Sequence, residues 1–96
     1  MRISFMDTPT LEGEIREFVL ATVIDEMSLL TSRDGITDES PVTVEGLELD
    51  SLSLIELTLR LESRFGVEIP DADIEPLAAL NLGQLVAEVA RRGAKA

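Results

Sequence analysis

The sequence predicts an all-α bundle with three substantial helices, one short helix and a long first loop. Three observations carry this. Apolar residues recur at helical spacing in separate segments, a start signal heads each substantial one (Thr10, Asp50, Asn81), and no stretch alternates apolar with polar residues as a half-buried strand does. The core is aliphatic, since 45% of the chain is hydrophobic but only 3% is aromatic, with three Phe and neither Trp nor Tyr. Ninety-six residues make one domain with a modest core.

Residues 1–9 read as a flexible tail ending at Pro9, ahead of a domain over 10–92. Thr10 is placed as an N-cap, with Glu12 and Glu14 in the first turn where the helix dipole favours acids. Leu11, Ile15, Phe18, Val19 and Thr22 repeat at helical spacing, so the first helix is expected from Thr10 to about Met27, slightly weakened by Gly13. Periodicity fades from about Ser28 to Leu49, where Gly35, Pro41 and Gly46 punctuate a long loop. Val42, Val44, Leu47 and Leu49 are expected to tuck against the core. Asp34-Gly35-Ile36 resembles the middle of a calcium-binding loop, but the first and last ligand positions would fall on Leu30 and Pro41, which excludes that site.

The second helix is expected from Ser51 to Phe65, capped by Asp50 and ended near Gly66. Pro76 is tolerable only in a first helical turn, which favours Asp73 as the cap of a short third helix ending near Leu80. Asn81 with Gln84 three residues on forms a capping-box pattern for a fourth helix, whose apolar stripe is Leu82, Leu85, Val86 and Val89. Arg91 and Arg92 lie in its last turn, where cations suit the dipole, and residues 93–96 are expected to fray. A four-helix bundle is the simplest arrangement of these elements.

The second helix carries two apolar stripes. Leu54, Leu57, Thr58, Leu61 and Phe65 form the core side; Leu52, Ile55 and Leu59 form a second stripe about a third of a turn away, flanked by Glu56 and Glu62. Periodicity alone favours burial of both, because a central helix in a small bundle has a wide buried side. The other reading is a partly exposed stripe that meets partners.

Charge and composition exclude several functions. Eight basic and nineteen acidic residues give a net charge of −11, the wrong sign for nucleic-acid backbones or anionic membranes and the right one for partners with basic patches. An acidic surface also simply keeps a small protein soluble. Without cysteine or histidine the chain has no thiolate, no disulfide, and neither the commonest general base nor the commonest neutral metal ligand. No catalytic or metal-binding residue is expected. No signal peptide or membrane-length apolar run is visible, so a cytoplasmic monomer is expected.

Ser51 stands directly after Asp50 where the loop turns into the second helix, with its hydroxyl at a helix N-terminus that favours phosphate. It is not placed as a nucleophile, because a serine nucleophile needs an adjacent base and the only lysine, Lys95, is in the terminal tail. Leu47-Glu48-Leu49-Asp50-Ser51-Leu52 is followed by Ile55-Glu56-Leu57, Leu61-Glu62 and Phe65-Gly66-Val67-Glu68-Ile69-Pro70. This window, with the helix order from about residue 10 to 92, resembles the acyl carrier proteins.

The resemblance implies a four-helix carrier that is not an enzyme. Ser51 would be esterified with 4'-phosphopantetheine from coenzyme A by a separate phosphopantetheinyl transferase. Asp50 would help hold Mg²⁺ during that transfer. Leu52, Ile55, Glu56 and Leu59 match positions that meet partner enzymes, and Glu48 and Glu62 are counted with that side. The partners would be the transferase and the acyl- or aminoacyl-loading and processing enzymes with basic docking patches.

Ser53, Arg60 and Glu48 depart from residues common in fatty-acid carriers, which have an acid, a small or apolar residue, and often glycine at these places. These changes leave open which partners recognise the second helix; the long first loop and the unusual tail lean toward a discrete carrier of specialised metabolism, such as a polyketide pathway, with fatty-acid synthesis also open. The alternatives are an aminoacyl or peptidyl carrier, whose glycine-rich approach to the serine Glu48-Leu49 lacks, and an unmodified acidic interaction module.

Overall fold

The first helix, α1 (Leu11–Ala21), starts where the Thr10 hydroxyl accepts the Gly13 N–H at 2.9 Å, as its capping residue requires. The computed structural model describes residues 10–95, so the expected N-terminal tail lies outside the described residues. α1 runs on into one wider, π-helical turn, Thr22–Glu26, closed by the Met27 N–H on the Thr22 carbonyl at 2.8 Å. The helical stretch therefore has the expected extent but not a uniform geometry. Ser28, at φ 56°, stops it in the left-handed conformation that usually falls to glycine.

The long loop is held by specific bonds. Arg16 of α1 grips Asp38 through two hydrogen bonds, 2.8 and 2.9 Å, and Arg33 returns to Glu17 at 2.8 Å. The Asp38, Ser40 and Leu80 carbonyls accept from Gly83, Leu82 and Val42 at 2.8, 2.9 and 3.0 Å, tying the loop to the start of the last helix. Pro41–Leu49 then folds back on itself, with Leu47 N–H on the Pro41 carbonyl and Glu48 N–H on the Thr43 carbonyl, both 2.9 Å. Val42, Leu47 and Leu49 are buried as expected. Val44 corrects the expectation, because it is 68% exposed at the tip of this fold-back, where the chain turns away from the core.

The second helix, α2 (Ser51–Phe65), has the expected bounds. Asp50 Oδ1 accepts the Ser53 N–H at 2.8 Å, and Gly66 at φ 72° ends the helix by donating its N–H to the Glu62 carbonyl. Leu54, Leu57, Thr58, Leu61 and Phe65 are all buried. Each such apolar side chain contributes about 1.5–3 kcal/mol. Phe18 meets Phe65 edge-on, with ring centroids 5.5 Å apart, fastening α1 to the end of α2. Thr58 satisfies its hydroxyl on the Ile55 carbonyl at 2.7 Å.

A 3₁₀ turn, Asp71–Asp73, leads into the short α3 (Ile74–Ala78), with Pro76 in its first turn. Asp73 stands at the cap position but its side chain caps nothing; the carboxylate turns to Arg92 at 2.8 Å instead. The helix also stops two residues short of the expected Leu80, in a turn closed by the Leu80 N–H on the Leu77 carbonyl. The last helix, α4 (Leu82–Arg91), has the full capping box, with Gln84 N–H on Asn81 Oδ1 at 2.8 Å and Asn81 N–H on Gln84 Oε1 at 3.0 Å. Its four stripe residues are buried. Beyond it the Lys95 N–H donates to the Phe65 carbonyl at 2.8 Å, and Ala94 packs against the core. Among the described residues no helix is long and apolar enough to cross a membrane.

Candidate functional site

Ser51 is the first residue of α2 and is exposed, and no side-chain hydrogen bond among the described residues uses its hydroxyl. The loop delivers it there because Leu47 and Leu49 are anchored in the core and Asp50 caps the helix immediately before it. The Ser53 N–H, and after it the Ser53 hydroxyl, hold the Asp50 carboxyl below the ordinary carboxylate range. A lowered carboxyl stabilises the fold above its unfolded pKa, and that contribution is lost as pH falls through the folded value. Asp50 is therefore an exposed anion beside Ser51 at neutral pH.

Lys95 cannot serve Ser51 as a base. Its backbone is bonded to Phe65, at the far end of α2, on the order of 20 Å away at 1.5 Å of rise per residue. Among the described residues no group of three or more Asp or Glu side chains is arranged to hold a metal ion.

A cleft of about 460 Å³ opens beside Ser51, between the loop tip, the start of α2 and α3. Val44, Leu49, Leu54, Ile74 and Ala78 give it an apolar wall; Thr43, Asp50, Ser51, Asp71 and Glu75 give it a polar rim. The contribution of Val44, Ile74 and Ala78 was not expected from the sequence. Pro76 places a helix start there but does not say that its inner side stands off from α2.

The second stripe of α2 departs from what periodicity favours. Leu52, Ile55 and Leu59 are exposed at 79%, 38% and 59%, because no described element crosses that side of the helix. With Val44 they are the exposed large hydrophobic residues among those described; Val44 shares the cleft with Ser51, and the other three lie on the first nine residues of α2. Glu56 is exposed and engages Arg60 at 2.9 Å, with Glu26 3.8 Å from the same guanidinium. Glu62 is half-buried, and its carboxylate accepts the Ile69 N–H at 2.7 Å. Glu48 is exposed, stands at φ 64° and accepts the Glu45 N–H at 3.1 Å. That left-handed backbone is one that ordinarily favours glycine.

The family described as phosphopantetheine attachment site matches residues 17–89, which span α1 to α4. The chain belongs to this family of carrier proteins. It is 36% identical over 67 residues to an acyl carrier protein of Campylobacter hominis, covering 70% of this chain and 81% of that one. An acyl carrier protein of Campylobacter jejuni is 42% identical over 59 residues, covering 62% of this chain and 73% of the relative. One of Chlorobium luteolum is 36% identical over 69 residues, covering 72% and 85%. The carrier is thus a non-catalytic protein that holds intermediates through phosphopantetheine.

Proposed function

We propose that Ser51 is the attachment point for 4'-phosphopantetheine and that the chain is a discrete acyl carrier of polyketide-type or fatty-acid synthesis. One observation carries this reading: an exposed serine hydroxyl at the N-terminus of a fifteen-residue helix, on the rim of an apolar-walled cleft. The group fits there. The start of α2 favours the phosphate, the cleft takes an arm or an acyl chain against Leu54, Ile74 and Ala78, and Asp50 stays ionised to share Mg²⁺ with coenzyme A during loading. When bound, the group supplies the thiol that this cysteine-free chain lacks. The names of the relatives favour acyl over aminoacyl cargo.

The carrier domain is taken as 10–92, working as a monomer in the cytoplasm. Its partners are the phosphopantetheinyl transferase and acyl-loading and processing enzymes with basic patches, which complement the charge of −11. Docking uses Leu52, Ile55 and Leu59, with Glu48, Glu56 and Glu62 as the acidic surround. Tethering to one carrier raises the concentration of an intermediate at each successive enzyme.

Incubating the full chain with coenzyme A, Mg²⁺ and a broad-specificity transferase tests the reading. One added group per chain, by intact mass, is expected. A chain that stays at its starting mass while an established carrier is modified in the same tube overturns it. The docking side makes a separate prediction. Because Leu52 and Leu59 are exposed, Leu52→Asp with Leu59→Asp changes stability by less than about 1 kcal/mol. The same pair slows loading by about tenfold or more at limiting transferase, as loss of apolar anchors does. Melting curves beside loading rates check both halves.

A further inference from the structure

The short helix α3 closes one side of the cleft, held by Leu77 in the core and by Ile74 and Ala78 packed partly buried against it. Of its five residues only Leu77 is fully buried, while Ile74, Glu75 and Ala78 line the cleft. Its C-terminal end is fixed, since the Leu80 carbonyl accepts the Val42 N–H at 3.0 Å and Leu82 is bonded to Ser40. Upstream, the link from α2 is fixed as well, with Val67 and Ile69 buried and the Ile69 N–H on Glu62. In the stretch from Pro70 into the start of α3, Ile74 packs partly buried on the core, and one charged side chain makes the polar connection to α4.

That side chain is Arg92. Its Nη1 lies 2.8 Å from Asp73 Oδ2 and also donates to the Glu68 carbonyl at 3.2 Å, while Nε donates to Glu88 Oε2 at 2.8 Å. The Arg92 and Glu88 side chains are each 20% exposed and Asp73 is 36% exposed, so the contact between α3 and α4 is half-buried. The neighbouring Arg91 is 74% exposed and, among the described residues, pairs within α4, to Glu88. Asp73 is the last residue of the 3₁₀ turn that runs into α3, with helical backbone, so its side chain is not in a capping conformation and its carboxylate pairs with Arg92.

We propose that Arg92 is a positioning residue that latches the start of α3 to α4 and so fixes the width of the cleft beside Ser51. Glu88 orients the guanidinium, Glu68 and Asp73 receive it, and α3 is a strap anchored by backbone at one end and by this guanidinium at the other. The consequence for cargo rests on the reading of Ser51 as the attachment site: releasing the latch lets bulkier acyl groups into the cleft. The latch itself does not depend on that reading.

Amide hydrogen exchange on the unmodified full chain tests it, comparing wild type with Arg92→Gln, Asp73→Ala, the double variant, and Arg91→Gln as a control of equal charge loss. Arg92→Gln and Asp73→Ala are each expected to speed exchange over residues 74–80 by about tenfold, the size expected for losing a charged hydrogen bond. Exchange in α1, α2 and α4 stays within about twofold. The double variant matches the single ones, because both remove the same contact. Arg91→Gln leaves α3 as in wild type. Unchanged α3 exchange in both single variants, a uniform rise across all helices, or multiplying effects in the double variant overturns the proposal. If Arg92→Gln does not fold, Asp73→Ala decides alone: a selective rise over 74–80 supports the latch, and no rise or a uniform one overturns it.

Discussion

Ser51→Ala keeps the fold of the chain and takes up no phosphopantetheine. The fold is expected to survive because Ser51 is exposed, its hydroxyl supports no side-chain hydrogen bond, and the cap of α2 runs from Asp50 to Ser53. The melting temperature should stay within a few degrees of wild type, corresponding to well under about 1 kcal/mol. Loss of loading should be complete, since the alanine has no oxygen to esterify. Ser53→Ala is the informative companion. Ser53 lies two residues on, half-buried, with its hydroxyl drawn to Asp50, so its loss should leave loading intact. Loading of Ser51→Ala, or loss of loading in a folded Ser53→Ala, would move the site.

Gly46→Ala is expected to be the most damaging single methyl group in the molecule. Gly46 is buried where the loop folds back. A Cβ there would strike the Pro41 carbonyl oxygen and lie 2.7 Å from the Pro41 nitrogen, and both are backbone atoms that cannot swing aside. Relief would break the Leu47 N–H bond to the Pro41 carbonyl and lift Leu47 and Leu49 from the core. Overpacking of this kind costs about 2–4 kcal/mol, or roughly 10–25 °C in melting temperature for a domain of this size. The displaced segment leads straight to Asp50, so loading should slow as well. Gly13→Ala is the contrast, since the added carbon meets only the Thr10 hydroxyl at 3.0 Å, on a helix where alanine is the better former. It should shift stability by no more than about 1 kcal/mol. Equal melting temperatures for the two variants would contradict the close approach at Pro41.

The sequence was most legible where a residue has one way to satisfy its neighbours. Asp50 before Ser51, Gly66 after Phe65 and the Asn81/Gln84 pair each match the element end that the structure shows. It was less legible where a residue has a choice. Asp73 has the chemistry of a cap and the chemistry of an ion-pair partner; the chain turns helical two residues earlier, at Asp71, and its carboxylate goes to Arg92. Periodicity reports which residues share a side of a helix, not whether another element covers that side. Leu54 and Leu61 were thus readable as core, whereas Leu52 and Leu59 were wrongly favoured as buried. The same limit applies to Val44, whose apolar character is spent at a cleft mouth and not in the core. Of the candidate site, Ser51 and Asp50 were named from the resemblance of the whole window around them to acyl carrier proteins; the cleft beside them was not, because α3 reaches it from more than twenty residues away.

The central claim concerns one oxygen atom, the Ser51 hydroxyl. Its most direct test is to load the wild-type chain with coenzyme A, Mg²⁺ and transferase, digest it, and fragment the peptide spanning Glu48–Arg60. A phosphopantetheine mass carried at Ser51, with Ser53 unmodified, is the expected result. The same mass on Ser53, or on a peptide that lacks Ser51, would contradict the assignment.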